Sequence, residues 1–141
     1  MTFGESIKTC FSKFVTWQGR ASRSEYWYFI LFAVICYVGA TLLDGVLGTS
    51  FKITNPATGE LQSMGYGWIY LITALALILP SLSAMVRRLH DTNRSGWWYW
   101  IALVPLIGII VLIVWFCSRG TVGNNNYGSD PLGGELGETF G

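Results

Sequence analysis

The chain has 141 residues, of which 52% are apolar and only 12% charged, with a net charge of +1 at pH 7. A length of this order is ordinarily one domain, but a soluble domain would carry more charge, and the near-neutral balance provides no overall basic field for nucleic acid. Cys10, Cys36 and Cys117 show no CxxC spacing, so neither a disulfide framework nor a metal or cofactor site is indicated.

The first 25 residues include Glu5, Lys8, Lys13, Gln18, Arg20, Arg23 and Glu25 without a continuous apolar core. A cleavable signal peptide is therefore not expected. Phe3, Ile7, Cys10, Phe11, Phe14 and Val15 recur at spacings of three and four, with Glu5, Lys8, Thr9, Ser12 and Lys13 on the other side. This predicts an amphipathic helix that either lies in a membrane interface or packs against the ends of spanning helices. Ser22 followed by Glu25 has the spacing of a capping box, so the next helix is expected to begin near Arg23.

Three apolar segments follow, about 26–47, 68–86 and 97–117, each 19 to 22 residues long. A helix needs roughly 20 residues to cross the hydrocarbon core, so each suffices for one crossing. Trp and Tyr cluster at the edges of these runs, as at membrane interfaces. The predicted fold is thus all-α: a polytopic membrane protein with three transmembrane helices behind an amphipathic interfacial helix, forming one membrane domain over 1–131.

Asp44 is the one acidic residue inside an apolar segment. It either reaches the nearby interface or is functional, because an isolated carboxylate in the membrane costs several kcal/mol unless paired. Pro80 and Pro105 lie in the second and third segments at a similar depth, roughly 11 Å from the expected cytoplasmic boundary at 1.5 Å per residue. They predict kinks, or a small cytoplasm-facing cavity near Ser81, Ser83 and Gly108.

Basic residues number four before the first span, one between the first and second, three between the second and third, and one after the third. The positive-inside rule then gives in, out, in, out, with the amino terminus cytoplasmic and the carboxyl terminus periplasmic. A re-entrant third segment turning at Pro105 and Gly108 is the alternative, and would return the tail to the cytoplasm. The tail after Arg119 holds seven glycines in 22 residues along with Asn124, Asn125 and Asn126. It should be irregular, and flexible over 132–141.

The densest polar cluster runs from Arg87 to Trp98. Arg87 and Arg88 close one helix where cations complement its dipole, and Ser95 is placed to cap the next. With Arg20, Arg23, His90, Asp91, Arg94, Trp97 and Trp98 this predicts one Arg-rich cytoplasmic face. Two readings apply: the arginines fix topology and pair with Glu25 and Asp91, or they hold anionic head groups, which guanidinium geometry suits. His90 beside Asp91 has no spaced ligand partners and no nucleophile arranged next to it, so no catalytic residue is assigned.

Three strings carry a resemblance: Gly19-Arg20-Ala21-Ser22-Arg23-Ser24-Glu25-Tyr26-Trp27; Arg88-Leu89-His90-Asp91 with Ser95-Gly96-Trp97-Trp98; and Gly120-Thr121 through Asn126-Tyr127-Gly128 with Asp130-Pro131. In this order, over about 14–131, they resemble the bacterial family known as domain of unknown function 805. The resemblance implies a small protein of the bacterial inner membrane and no established activity, and it singles out Asn126, Tyr127 and Asp130 as a tail motif. Residues 51–67 lie outside those strings and are read as a variable external loop.

Two functions remain. One is a non-enzymatic membrane component that binds a partner protein or itself, with small-residue faces such as Gly39-Ala40 and Ala74-Ala76 for helix packing. The other is binding or movement of an anionic lipid head group or small anion at the Arg-rich face.

Overall fold

The structure, a computed structural model, describes residues 1–133. The tail expected to be flexible over 132–141 therefore lies largely outside the described residues. Those described form two compact units: residues 1–29 with those from Pro80 onward, and residues 30–79.

Helix α1, Phe3–Ser12, opens on a complete capping box between Thr2 and Glu5. Glu5, in its first turn, is held below the ordinary carboxylate range by hydrogen bonds with the backbone and side chain of Thr2. Helix α1 ends before Phe14 and Val15, which stay exposed beyond it. Its inner side, Ser6 and Cys10, is fully buried. The Ser6 hydroxyl donates to the Glu25 carbonyl at 3.2 Å, and Phe11 meets Phe29 edge to face. The amphipathic helix thus packs on the first turns of the next helix.

Helix α2, Arg23–Leu47, starts where the capping box placed it, with the Glu25 amide donating to the Ser22 hydroxyl at 3.2 Å. Helix α3, Trp68–Asp91, is the second long apolar helix. Both are long and apolar enough to cross a membrane.

Two expectations are corrected. The first is the all-α class: strands β1, Ser50–Thr54, and β2, Leu61–Gly67, form an antiparallel hairpin. Its loop is closed by the Asn55 amide donating to the Glu60 carbonyl at 2.8 Å and the Gly59 amide to the Asn55 carbonyl at 2.8 Å. Residues 51–67, expected to form an external loop, thus carry regular structure: Phe51-Lys52-Ile53-Thr54 alternates apolar and polar residues, which suits a strand, and neither strand is stable without the other.

The second concerns the third apolar segment. It is not one helix but a 3-10 helix, Gly96–Leu103, a break over Val104–Leu106, and helix α4, Ile107–Cys117. Pro105 cannot donate to a helical ladder, and Leu106 turns through a positive φ of 62°. The two limbs lie side by side. Trp98 meets Trp115 edge to face at 5.7 Å between centroids, and a Cβ on Gly108 would overlap the Ile101 carbonyl. Only glycine lets the limbs close that tightly. At about 2.0 Å rise for the 3-10 limb and 1.5 Å for α4, each spans roughly 16 Å, half a hydrocarbon core.

Asp44 is buried in the last turns of α2. Its carboxylate accepts from the amides of Gly67 at 2.8 Å, Ile69 at 3.0 Å and Tyr70 at 2.9 Å, and from the Thr49 hydroxyl. These amides open α3 and would otherwise have no intrahelical acceptor. Asp44 therefore acts as a cap supplied from a neighbouring element, and Phe51, Tyr66, Trp68 and Tyr70 pack as an aromatic layer in the same unit.

Candidate functional site

The Arg-rich cluster assembles in the unit formed by residues 1–29 and the chain from Pro80. Arg20, Arg87, Arg88, His90 and Asp91 are all buried. Asp91, in the last turn of α3, is the hub. One oxygen accepts from Arg20 Nε at 3.0 Å and the other from Arg88. Arg88 also donates from Nε to the Phe116 carbonyl at 3.1 Å, and its terminal nitrogens reach the carbonyls of Ala21 and Ser118. Arg20 donates to the carbonyls of Thr121, Gly123 at 2.6 Å and Gly128 at 3.4 Å, with Asp130 at 3.9 Å. The flat, five-donor guanidinium can bind a carboxylate and several carbonyls together, which an ammonium cannot.

Arg87 forms a second, separate pair with Glu25. Its other nitrogens reach the Ser83 hydroxyl at 3.4 Å and the Cys10 sulfur at 3.8 Å. Burial, with the Glu25 charge adding to it, pushes the Cys10 thiol up to about 11. Ser83 is fully buried, and its hydroxyl donates to the carbonyls of Lys13 and Thr16, each at 2.7 Å. The Ser83 hydroxyl is thus taken up by the segment that follows α1.

The tail is irregular, as expected, but it is built into this cluster. The Thr121 amide donates to the Asp91 carbonyl at 2.7 Å, and a Cβ on Gly120 would overlap the Asp91 carboxylate. Asn125 donates from its side chain to the His90 carbonyl at 2.8 Å, and the Asn126 amide reaches the Asn93 side chain at 3.3 Å. Tyr127 stacks on the His90 ring, 4.1 Å between centroids and 3° from parallel. Asp130 accepts the amides of Gly123 at 2.9 Å and Leu132 at 3.0 Å. Partial burial opposes ionisation of Asp130, but these amides and the Arg20 and Arg119 charges outweigh it and hold the carboxyl below its ordinary range.

The remaining candidates lie at the rim. Arg23 reaches the Cys117 carbonyl at 3.5 Å, and the Arg94 guanidinium sits 4.3 Å over the Trp115 ring. Trp97 and Trp98 are exposed on the 3-10 helix, which Ser95 caps through the Trp97 amide at 3.3 Å. Beside them is a cavity of about 500 Å³, lined mainly by Trp17, Leu82, Met85, Val86, Trp97 and Trp100, with His90 in its wall. No local sequence pattern marks this cavity. Leu82, Met85, Val86 and His90 recur at helical spacing on α3, a pattern that equally describes an ordinary packed face.

Residues 14–129 match the protein family described as a protein of unknown function, DUF805. The inner membrane protein YhaI of Escherichia coli (strain K12) is 41% identical over 118 residues, covering 84% of this chain and 87% of that protein. The inner membrane protein YhaH of the same strain is 39% identical over 118 residues, covering 84% and 88%. No solved structure matches the chain. With more than half its length in the family match, and relatives of this identity over most of their own length, the chain belongs to the DUF805 family.

Proposed function

We propose that the protein is a non-enzymatic component of the bacterial inner membrane that works by binding a partner protein or a second copy of itself. In this reading it crosses the bilayer twice, through α2 and α3, and the 3-10 helix with α4 forms a re-entrant hairpin. Both termini then lie in the cytoplasm. The observation that carries the reading is the bonding of the tail, residues 118–128, to Arg20, Arg88 and Asp91. A tail held there follows the amino-terminal segment to the same side of the membrane.

Charge placement supports this topology. Eight of the nine basic residues, all but Lys52, fall on the cytoplasmic side, a stronger bias than three crossings would give. The internal pairing also bears on function. The buried donors of Arg20, Arg87 and Arg88 already have acceptors within the chain, so this end serves as a folded platform more than as a receptor for anionic head groups. Association in the bilayer has open small-residue positions to use: Ala76 is exposed on α3, and open space surrounds the position of a Cβ on Gly39 of α2.

Two measurements test the proposal. A fluorescent protein that matures only in the cytoplasm, fused after Gly141, should glow; a dark fusion at normal expression overturns the two-crossing topology. A photo-crosslinking residue at Lys8 or Lys13, both exposed, or at Gly39, should give a discrete product in cells, either a dimer or one partner adduct. Absence of any discrete product at all three positions overturns the binding role.

A further inference from the structure

The cavity beside His90 is distinct from the paired arginines, and neither the ion-pair network nor the proposed partner binding uses it. Its volume of about 500 Å³ falls within the roughly 300–1,000 Å³ of small-molecule sites. Its lining is mostly aromatic and aliphatic. An apolar cavity of this kind is poorly filled by water and favours an apolar occupant. Gly96 shapes one wall: a Cβ there would sit 2.9 Å from Val86 Cγ1, so the 3-10 helix can close on α3 only at a glycine.

The imidazole gives this site its chemistry. His90 Nδ1 lies 3.0 Å from the Gly19 carbonyl, and a carbonyl can only accept, so Nδ1 carries the proton. In the neutral ring Nε2 is then left with its lone pair as a hydrogen-bond acceptor. Tyr127 covers one face of the ring and fixes its plane. Among the described residues, no hydrogen bond engages Nε2.

From these observations we infer that the cavity is a binding site for a small amphiphile drawn from the bilayer. Its apolar body packs between Trp17, Trp97, Trp100 and Met85, and its hydroxyl donates to His90 Nε2. A lipid alcohol and a phenol share this chemistry.

Purified full-length protein in phosphatidylcholine nanodiscs provides the test, with tryptophan fluorescence as the readout. Brominated dodecanol should quench saturably, and its methyl ether, which has no proton to donate, should bind about tenfold more weakly. His90→Phe should erase that difference, while Met85→Trp, which fills the cavity, should abolish the saturable phase. Competition with an unbrominated phenol and with unbrominated dodecanol identifies the source, since the stronger competitor matches the natural class. Equal, non-saturating quenching by alcohol and ether in the unaltered protein overturns the proposal, and so does saturable quenching that survives Met85→Trp in a protein with an unchanged unfolding temperature.

Discussion

Asp91 and Asp44 are both buried carboxylates near the end of a long apolar helix, yet the chain satisfies them in opposite ways. Asp91 is held by the guanidinium groups of Arg20 and Arg88. Asp44 is held mainly by the backbone amides that begin α3. In one unit a carboxylate bridges two cations and draws distant stretches of chain together; in the other a carboxylate stands in for a missing turn of helix. Charge pairing tolerates wide separation in sequence, since Arg20 and Asp91 are 71 residues apart. Capping requires the amides to be aligned already, which the β1–β2 hairpin does by delivering Gly67 directly into Trp68.

The comparison predicts unequal costs on substitution. The largest falls on Asp91→Ala, which leaves the buried Arg88 guanidinium without a carboxylate and Arg20 with only Asp130 at 3.9 Å. Breaking such a pair costs about 3–5 kcal/mol, so denaturant unfolding in micelles should show a loss of that size together with protease sensitivity of the tail. Replacing Glu25 by Gln removes the charge facing Arg87 and should cost somewhat less, about 3 kcal/mol, because an amide oxygen still accepts. Asp44→Ala should cost about 1–3 kcal/mol, read as lost protection of the Ile69 and Tyr70 amides against hydrogen exchange. If Asp44→Ala proved as damaging as Asp91→Ala, amide capping and ion pairing would have to be ranked anew.

Two smaller effects follow from titration. Cys10 ionises in the unfolded chain at about 9 and in the folded chain at about 11, so its contribution is complete below pH 9 and is lost as pH rises through 11. Alkylation at pH 8 should therefore modify Cys10 only after unfolding, as peptide mapping would show. Asp130 has the opposite sign. Its depressed pKa stabilises the tail above the ordinary value of 3.8 and is lost on acidification through the lower folded value. The Gly123 and Leu132 amides should exchange faster below that point, a modest change at a carboxyl near the surface.

Much of the local structure could be read from short spacings. Ser22 and Glu25 marked the start of α2, and the apolar runs gave the cores of α2 and α3. The long reach of Arg20 into the tail could not be read, because Thr121, Gly123 and Gly128 accept through backbone carbonyls, which every residue type carries. Glu25 illustrates a mixed case. As part of a capping box it marked the helix start, whereas its carboxylate is taken by Arg87, 62 residues away. Asp44 read as either interfacial or functional, since sequence spacing does not reveal that a hairpin brings three amides to it.

By itself the sequence determined that this protein has apolar helices of membrane length, basic residues gathered before the first apolar run and between the second and third, and a glycine-rich tail. Those properties depend on composition and on periods of a few residues. Only the tertiary structure decided that the third apolar run folds back on itself and that the tail closes over the arginines. Both results depend on contacts between residues far apart in the chain, Gly108 against Ile101 and Arg20 against Gly123, where the fit of one backbone to another determines the path and no local pattern records it.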